Sequence, residues 1–269
     1  MASLSITEAW NETRALLKRE GRLIFPLTFL LMALPGAILQ AMIPPGEPGT
    51  MPAAGPWLYF FPISIVSSIV GALAISWLAL TPGTSLGEAL QVAVRRFLPV
   101  LGALLLLGFA AGLLMLPLTI GLALVAVDPG GGQPELTGAM LFGLLAYLLL
   151  ILFLWVRLML MTPVAAVEKA GPIAMIARSW ALTRGHFWKL LGFVLLLTLV
   201  VVVTMLAVSA VGGLLIILVA GQPQPGSVAM FLALLLSALF QAVVSAVFTV
   251  FLARIYAQLT GRIAADVFA

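Results

Sequence analysis

The sequence predicts an all-α polytopic membrane protein, with six transmembrane helices in three hairpins, each preceded by an in-plane amphipathic helix on the cytoplasmic side. Three observations carry this reading. Of 269 residues 63% are apolar and 8% charged, whereas soluble domains are about half apolar and about a quarter charged. Several apolar runs reach the ~20 residues a helix needs to cross a ~30 Å hydrocarbon layer. The basic residues fall in alternate connections only.

The chain opens with Glu8, Glu12 and Glu20 set among basic residues. It lacks a short apolar run ending at a small-residue cleavage site, so this stretch reads as mature chain rather than a secretory signal. Apolar runs bounded by turn residues then place spans at Arg22 to Met42, Trp57 to Leu80, Phe97 to Val127, Gly138 to Thr162, Leu190 to Ala220 and Val228 to Ala257. The third and fifth exceed a bilayer's thickness and must tilt, bend or project; Pro117 marks the expected bend in the third.

Pro44 to Pro56, Asp128 to Thr137 and Gly221 to Ser227 contain no Lys or Arg. All 13 basic residues lie on the other side: Arg14, Lys18, Arg19, Arg22, Arg95, Arg96, Arg157, Lys169, Arg178, Arg184, Lys189, Arg254 and Arg262. Cations collect on the cytoplasmic side of membrane proteins, which predicts a bacterial inner (plasma) membrane with both termini in the cytoplasm. The net charge of +4 follows from that bias and not from a nucleic-acid surface, which would cluster cations on one polar face.

Three segments precede the odd-numbered spans. The first begins at Ser5, spaced from Glu8 as in a capping box, and puts Ile6, Trp10, Thr13 and Leu17 on one helical face. The second, Thr84 to Phe97, aligns Leu86, Leu90 and Ala93 or Val94, and ends on Arg95 and Arg96. The third, Pro172 to Lys189, starts with proline at a favoured first helical position and sets Ile173, Ile176, Trp180 and Phe187 against Arg178, Arg184 and Lys189. Each reads as an amphipathic helix lying in the interface. The second and third align without gaps, Pro82 on Pro172 and Phe97 on Phe187. Within one domain of 1–269 this suggests pseudo-repeats at about 5–81, 82–163 and 171–261, against the alternative that leucine runs align by chance.

The residues offer little for catalysis. There is no cysteine and only one histidine, His186, which excludes thiol chemistry, Cys-based metal sites and two-histidine schemes. Carboxylates are scattered, and Ser179 with His186 lacks the buried acid a hydrolase triad needs. No enzyme activity, metal or cofactor is expected. Arg95, Arg96, Arg178, Arg184, His186 and Lys189 are expected at lipid headgroups, with Trp10, Trp180 and Trp188 as interfacial anchors. Arg157, the deepest cation, either snorkels or forms an ion pair with Glu168 across the Pro163 break. Ser237, Gln241, Ser245 and Thr249 recur at i,i+4 spacing, as a polar packing stripe or a permeation path. Ser64, Ser68 and Ser76 form a similar stripe, and Gly108 and Gly112 suggest close packing.

The run from Thr162 to Gly192 contains Pro163, Glu168, Gly171-Pro172, Arg178-Ser179-Trp180 and Thr183-Arg184-Gly185, and follows Arg157 in the fourth span. In that order these residues resemble the family named for the glycerophosphoryl diester phosphodiesterase membrane domain, together with related six-span bacterial proteins. The resemblance implies a six-span fold and a membrane address. It does not imply the phosphodiesterase reaction, which belongs to a soluble barrel for which this chain has no room. The leading functional expectation is a non-enzymatic protein that binds or organises anionic phospholipid, or an accessory subunit in envelope homeostasis. Its expected partners are membrane phospholipids and a membrane-protein partner or second copy; the alternative is a transporter or lipid permease with a path between hairpins.

Overall fold

The computed structural model describes residues 4–44, 52–126, 138–224 and 226–261. The predicted loop at Asp128 to Thr137, most of the loop at Pro44 to Pro56, and Arg262 lie outside them. Among the described residues the regular structure is helical throughout. Six helices are long and apolar enough to cross a membrane: Ile6–Met42, Trp57–Leu80, Leu86–Gly121, Met140–Val167, Phe187–Ala220 and Val228–Thr260. The chain is a multi-pass membrane protein.

The first span is one uninterrupted helix made of α1 (Ile6–Thr28), a π-helical turn (Phe29–Ala33) and α2 (Leu34–Met42). The predicted first in-plane helix is therefore joined to its span instead of standing apart. Nothing between the Ser5 cap, whose Oγ accepts from the Glu8 N–H at 3.3 Å, and Arg22 terminates a helix. Gly21, the weakest helix former there, is buried with the Phe25 ring 3.1 Å from where a Cβ would stand.

The π turn has a sequence cause. A proline has no N–H to bond the carbonyl four residues back, and its ring crowds that carbonyl. For Pro35 that carbonyl is Leu31, which instead accepts a 2.8 Å hydrogen bond from Ser67 Oγ on α3 (Trp57–Leu80). The two elements meet closely: a Cβ on Gly71 would lie 2.8 Å from Met32 Cγ and 2.9 Å from Leu31 Cβ.

The second introductory segment is likewise the first turns of α4 (Leu86–Ala126), entered through a reciprocal capping box. The Glu88 N–H donates to Ser85 Oγ at 3.3 Å and the Ser85 N–H to Glu88 Oε2 at 3.1 Å. Ala93 is buried and Val94 exposed, which resolves the choice between them. The helix runs on through Pro99 and Pro117. Gly108 and Gly112 do not mark close packing, because a Cβ at either would meet nothing within 4 Å.

The predicted fourth span divides into α5 (Gly138–Leu158) and α6 (Met161–Val167). The break at Met159 and Leu160 sits where Pro163 cannot bond the Met159 carbonyl. Next come α7 (Pro172–Thr183), α8 (Phe187–Ala220) and α9 (Val228–Thr260). Only this third introductory segment is a helix in its own right, because Gly185 takes φ +87°, a conformation that turns the chain and that glycine adopts without steric cost.

Packing is uneven along the bundle. The main core gathers Leu16 and Ile24 of α1, Leu73 and Ile75 of α3, Ala93 and Val100 of α4, Leu160 and Val164 around the α5–α6 break, and Val250, Phe251 and Tyr256 of α9. These all lie at the end that carries the basic residues. The buried residues of α8, Leu190 and Val194, fall in its first two turns, and beyond them the helix exposes leucine and valine as a lipid-facing surface does.

Candidate functional site: the basic end of the bundle

Two clusters organise this end. The first centres on Glu168, the C-cap of α6. Its Oε1 pairs with Arg178 Nε at 3.1 Å and accepts from Tyr256 Oη at 2.7 Å, while its backbone carbonyl accepts from Arg96 Nη1 at 2.9 Å. Arg96 Nη1 also reaches the Ala165 carbonyl at 2.8 Å. This one guanidinium thus satisfies carbonyls that the end of α6 leaves without helical partners. Glu168 joins α4, α6, α7 and α9 at a single point.

The predicted Arg157–Glu168 ion pair does not form. Glu168 is taken by Arg178 and Tyr256, and Arg157 points into a second cluster. Its guanidinium carbon lies 5.3 Å from the Phe153 ring centroid, 5.2 Å from Trp180 and 5.3 Å from Phe187. The planar, weakly hydrated guanidinium stacks on aromatic faces, and these rings come from α5, α7 and α8. Arg157 Nε and Nη1 are buried and without a hydrogen-bond acceptor among the described residues, as is Nδ1 of nearby His186.

The α7 face that meets the protein is distinct from the apolar face predicted to lie in the interface. Ile173 is 74% exposed, and the buried positions are Met175, Ser179 and Thr183. Ser179 and Thr183 donate to the Arg157 carbonyl at 2.9 and 3.3 Å, which serves one of the carbonyls orphaned where α5 stops. The Ser179 hydroxyl is a structural cap.

The other predicted residues separate into two groups. Arg95, Arg184 and Lys189 are exposed, and Trp188 is 79% exposed. Trp180 is 37% exposed while packing edge-on to Phe153, and Trp10 packs at 6.3 Å against Phe251. Arg96 and Arg178 have internal partners, so they serve the bundle before any lipid. Arg254 similarly donates to the Ala79 carbonyl near the end of α3 at 2.7 Å. The α9 stripe divides too: Thr249 is buried, Gln241 donates to Ser245 at 3.2 Å, and Ser237 and Gln241 line a cleft of about 430 Å³ with Gln40 and Ser209. Tyr256, Gln40 and Ser209 are not picked out by sequence patterns, because none belongs to a periodic stripe or a charged run.

The model of a family described as a domain of unknown function (DUF7847) matches residues 4–259. The chain belongs to that family. No curated protein and no solved structure matches it. Among the described residues no group of His, Cys, Asp or Glu is placed to hold a metal ion.

Proposed function

We propose that this DUF7847 protein is a non-enzymatic component of a bacterial inner membrane, with both termini cytoplasmic, that binds anionic phospholipid at its basic end. In this reading the spans form three hairpins, and the protein serves envelope homeostasis directly or as an accessory subunit beside a membrane-protein partner or second copy. The carrying observation is Arg157, a cation held among three aromatic rings with two buried N–H groups and no carboxylate. An unpaired buried charge is costly, and a lipid phosphate supplies both the missing charge and the missing acceptors. Exposed Arg184 and Lys189 and the Trp188 ring add attraction of about 1 kcal/mol per cation at an anionic surface. The resemblance of the Thr162 to Gly192 run to the phosphodiesterase-linked membrane domain supports the same address.

The test is native mass spectrometry of the full chain extracted from vesicles of equal phosphatidylglycerol and phosphatidylcholine. The wild type should retain phosphatidylglycerol preferentially. Arg157→Gln combined with Arg184→Gln and Lys189→Gln should reduce that preference about a hundredfold, as three cations at ~1 kcal/mol each imply. Equal retention of both lipids by the wild type would refute the proposal. A lipid permease is the second reading, favoured because Ser237 and Gln241 open on a cleft; it requires lipid flux in liposomes that is lost in Gln241→Leu.

A further inference from the structure

The cleft between α2, α8 and α9 lies away from the basic end and is built differently from it. No charged residue lines it. Its polarity is graded along the membrane normal, as helix geometry shows at ~1.5 Å per residue. Gln40 stands about 27 Å above Arg22 and Ser209 about 30 Å above Lys189, close to the far edge of a ~30 Å hydrocarbon core. Met32, Val201 and Val244, which line the same cleft, stand only about 15–18 Å above the basic residues of their own helices.

The polar level is unsatisfied. Gln40 and Ser209 are exposed, and neither the Gln40 carboxamide nor the Ser209 hydroxyl has a hydrogen-bond partner among the described residues, which leaves both free to donate to a ligand. Gln241, one level deeper, already donates to Ser245. The walls arise from features described above: the π turn contributes Met32 and Ala33, and α8, whose buried residues lie in its first two turns, meets α9 again at Gly212, where a Cβ would press on the Leu236 side chain. π turns inside α-helices frequently accompany functional sites. The volume of about 430 Å³ lies within the ~300–1,000 Å³ of small-molecule sites.

We infer that this cleft binds one diacyl phospholipid from the leaflet opposite the basic end. The ester carbonyls accept from Gln40 and Ser209, and one acyl chain descends between α8 and the π turn. With no charge in the lining, the site is indifferent to the headgroup. It is independent of the Arg157 cluster and requires no lipid movement.

The experiment uses the full chain exchanged into detergent from vesicles of phosphatidylcholine alone, with retained lipid counted by native mass spectrometry. The wild type should keep one phosphatidylcholine. Gly36→Trp adds bulk at a cleft-lining glycine where a Cβ meets nothing within 4 Å, and should lower occupancy about tenfold or more. Val219→Trp, on a side chain 84% exposed and outside the cleft, should leave it unchanged. The double variant Gln40→Leu, Ser209→Ala, which removes the polar groups, should also lower occupancy and serves if Gly36→Trp fails to fold. Arg157→Gln should keep the lipid, which separates failure of this inference from failure of the basic-end reading. Retention of detergent only by the wild type, or undiminished occupancy in Gly36→Trp or the double variant, overturns it.

Discussion

At the scale of single residues, Glu168 and Arg157 show how two opposite charges near one helix break find different solutions. Glu168 is served by a guanidinium and a phenol, and Arg157 by three rings. Tyr256→Phe removes a 2.7 Å hydrogen bond to a carboxylate and should cost about 1.5–3 kcal/mol, the worth of a bond to a charged group, measured as thermal unfolding in detergent. The Glu168–Arg178 pair is partly exposed, 27% and 46% by side chain, so a double-mutant cycle should give less than about 1 kcal/mol. An Arg157–Glu168 cycle should show no direct coupling, since the two do not meet. The sequence limits each of these residues to a small set of partners. It does not select among them, because the selection depends on side chains from α7, α8 and α9.

At the scale of elements, proline and glycine decide where helices change character. Pro35 frees the Leu31 carbonyl, Pro163 ends α5, and Gly185 separates α7 from α8. Ser67→Ala leaves the Leu31 carbonyl without its side-chain donor and should destabilise the protein by about 1–3 kcal/mol. Gly71→Ala forces a Cβ to within 2.8 Å of Met32 and 2.9 Å of Leu31, and should cost about 1–3 kcal/mol through overpacking. Both read out as lowered unfolding temperatures, and a neutral result for both would remove the π turn's contact with α3 as a stabilising feature. The prolines are plain in the sequence. Whether one ends a helix or is absorbed as a π turn depends on a neighbour that can take the freed carbonyl, here Ser67.

At the scale of the whole molecule, the core occupies the basic end while the other half of the bundle exposes leucine and valine. An alkaline phosphatase fused in the Gly130 to Gly132 loop should be active if the basic end is cytoplasmic, and an inactive fusion there would reverse the assigned orientation. The six spans, their approximate limits and the one-sided distribution of cations were determined by sequence alone, because hydropathy and charge are properties of the chain that a bilayer reads directly. Tertiary structure alone decided that the first two introductory segments continue into their spans and that Met175, Ser179 and Thr183 form the packed face of α7. It also decided that Arg157 stacks on three rings where snorkelling or an ion pair was expected, and that Gln40 and Ser209 share a cleft with Ser237. The physical reason is that local pattern records the preference of a residue for lipid or protein. The partner of a polar group, in contrast, depends on which distant helix arrives opposite it.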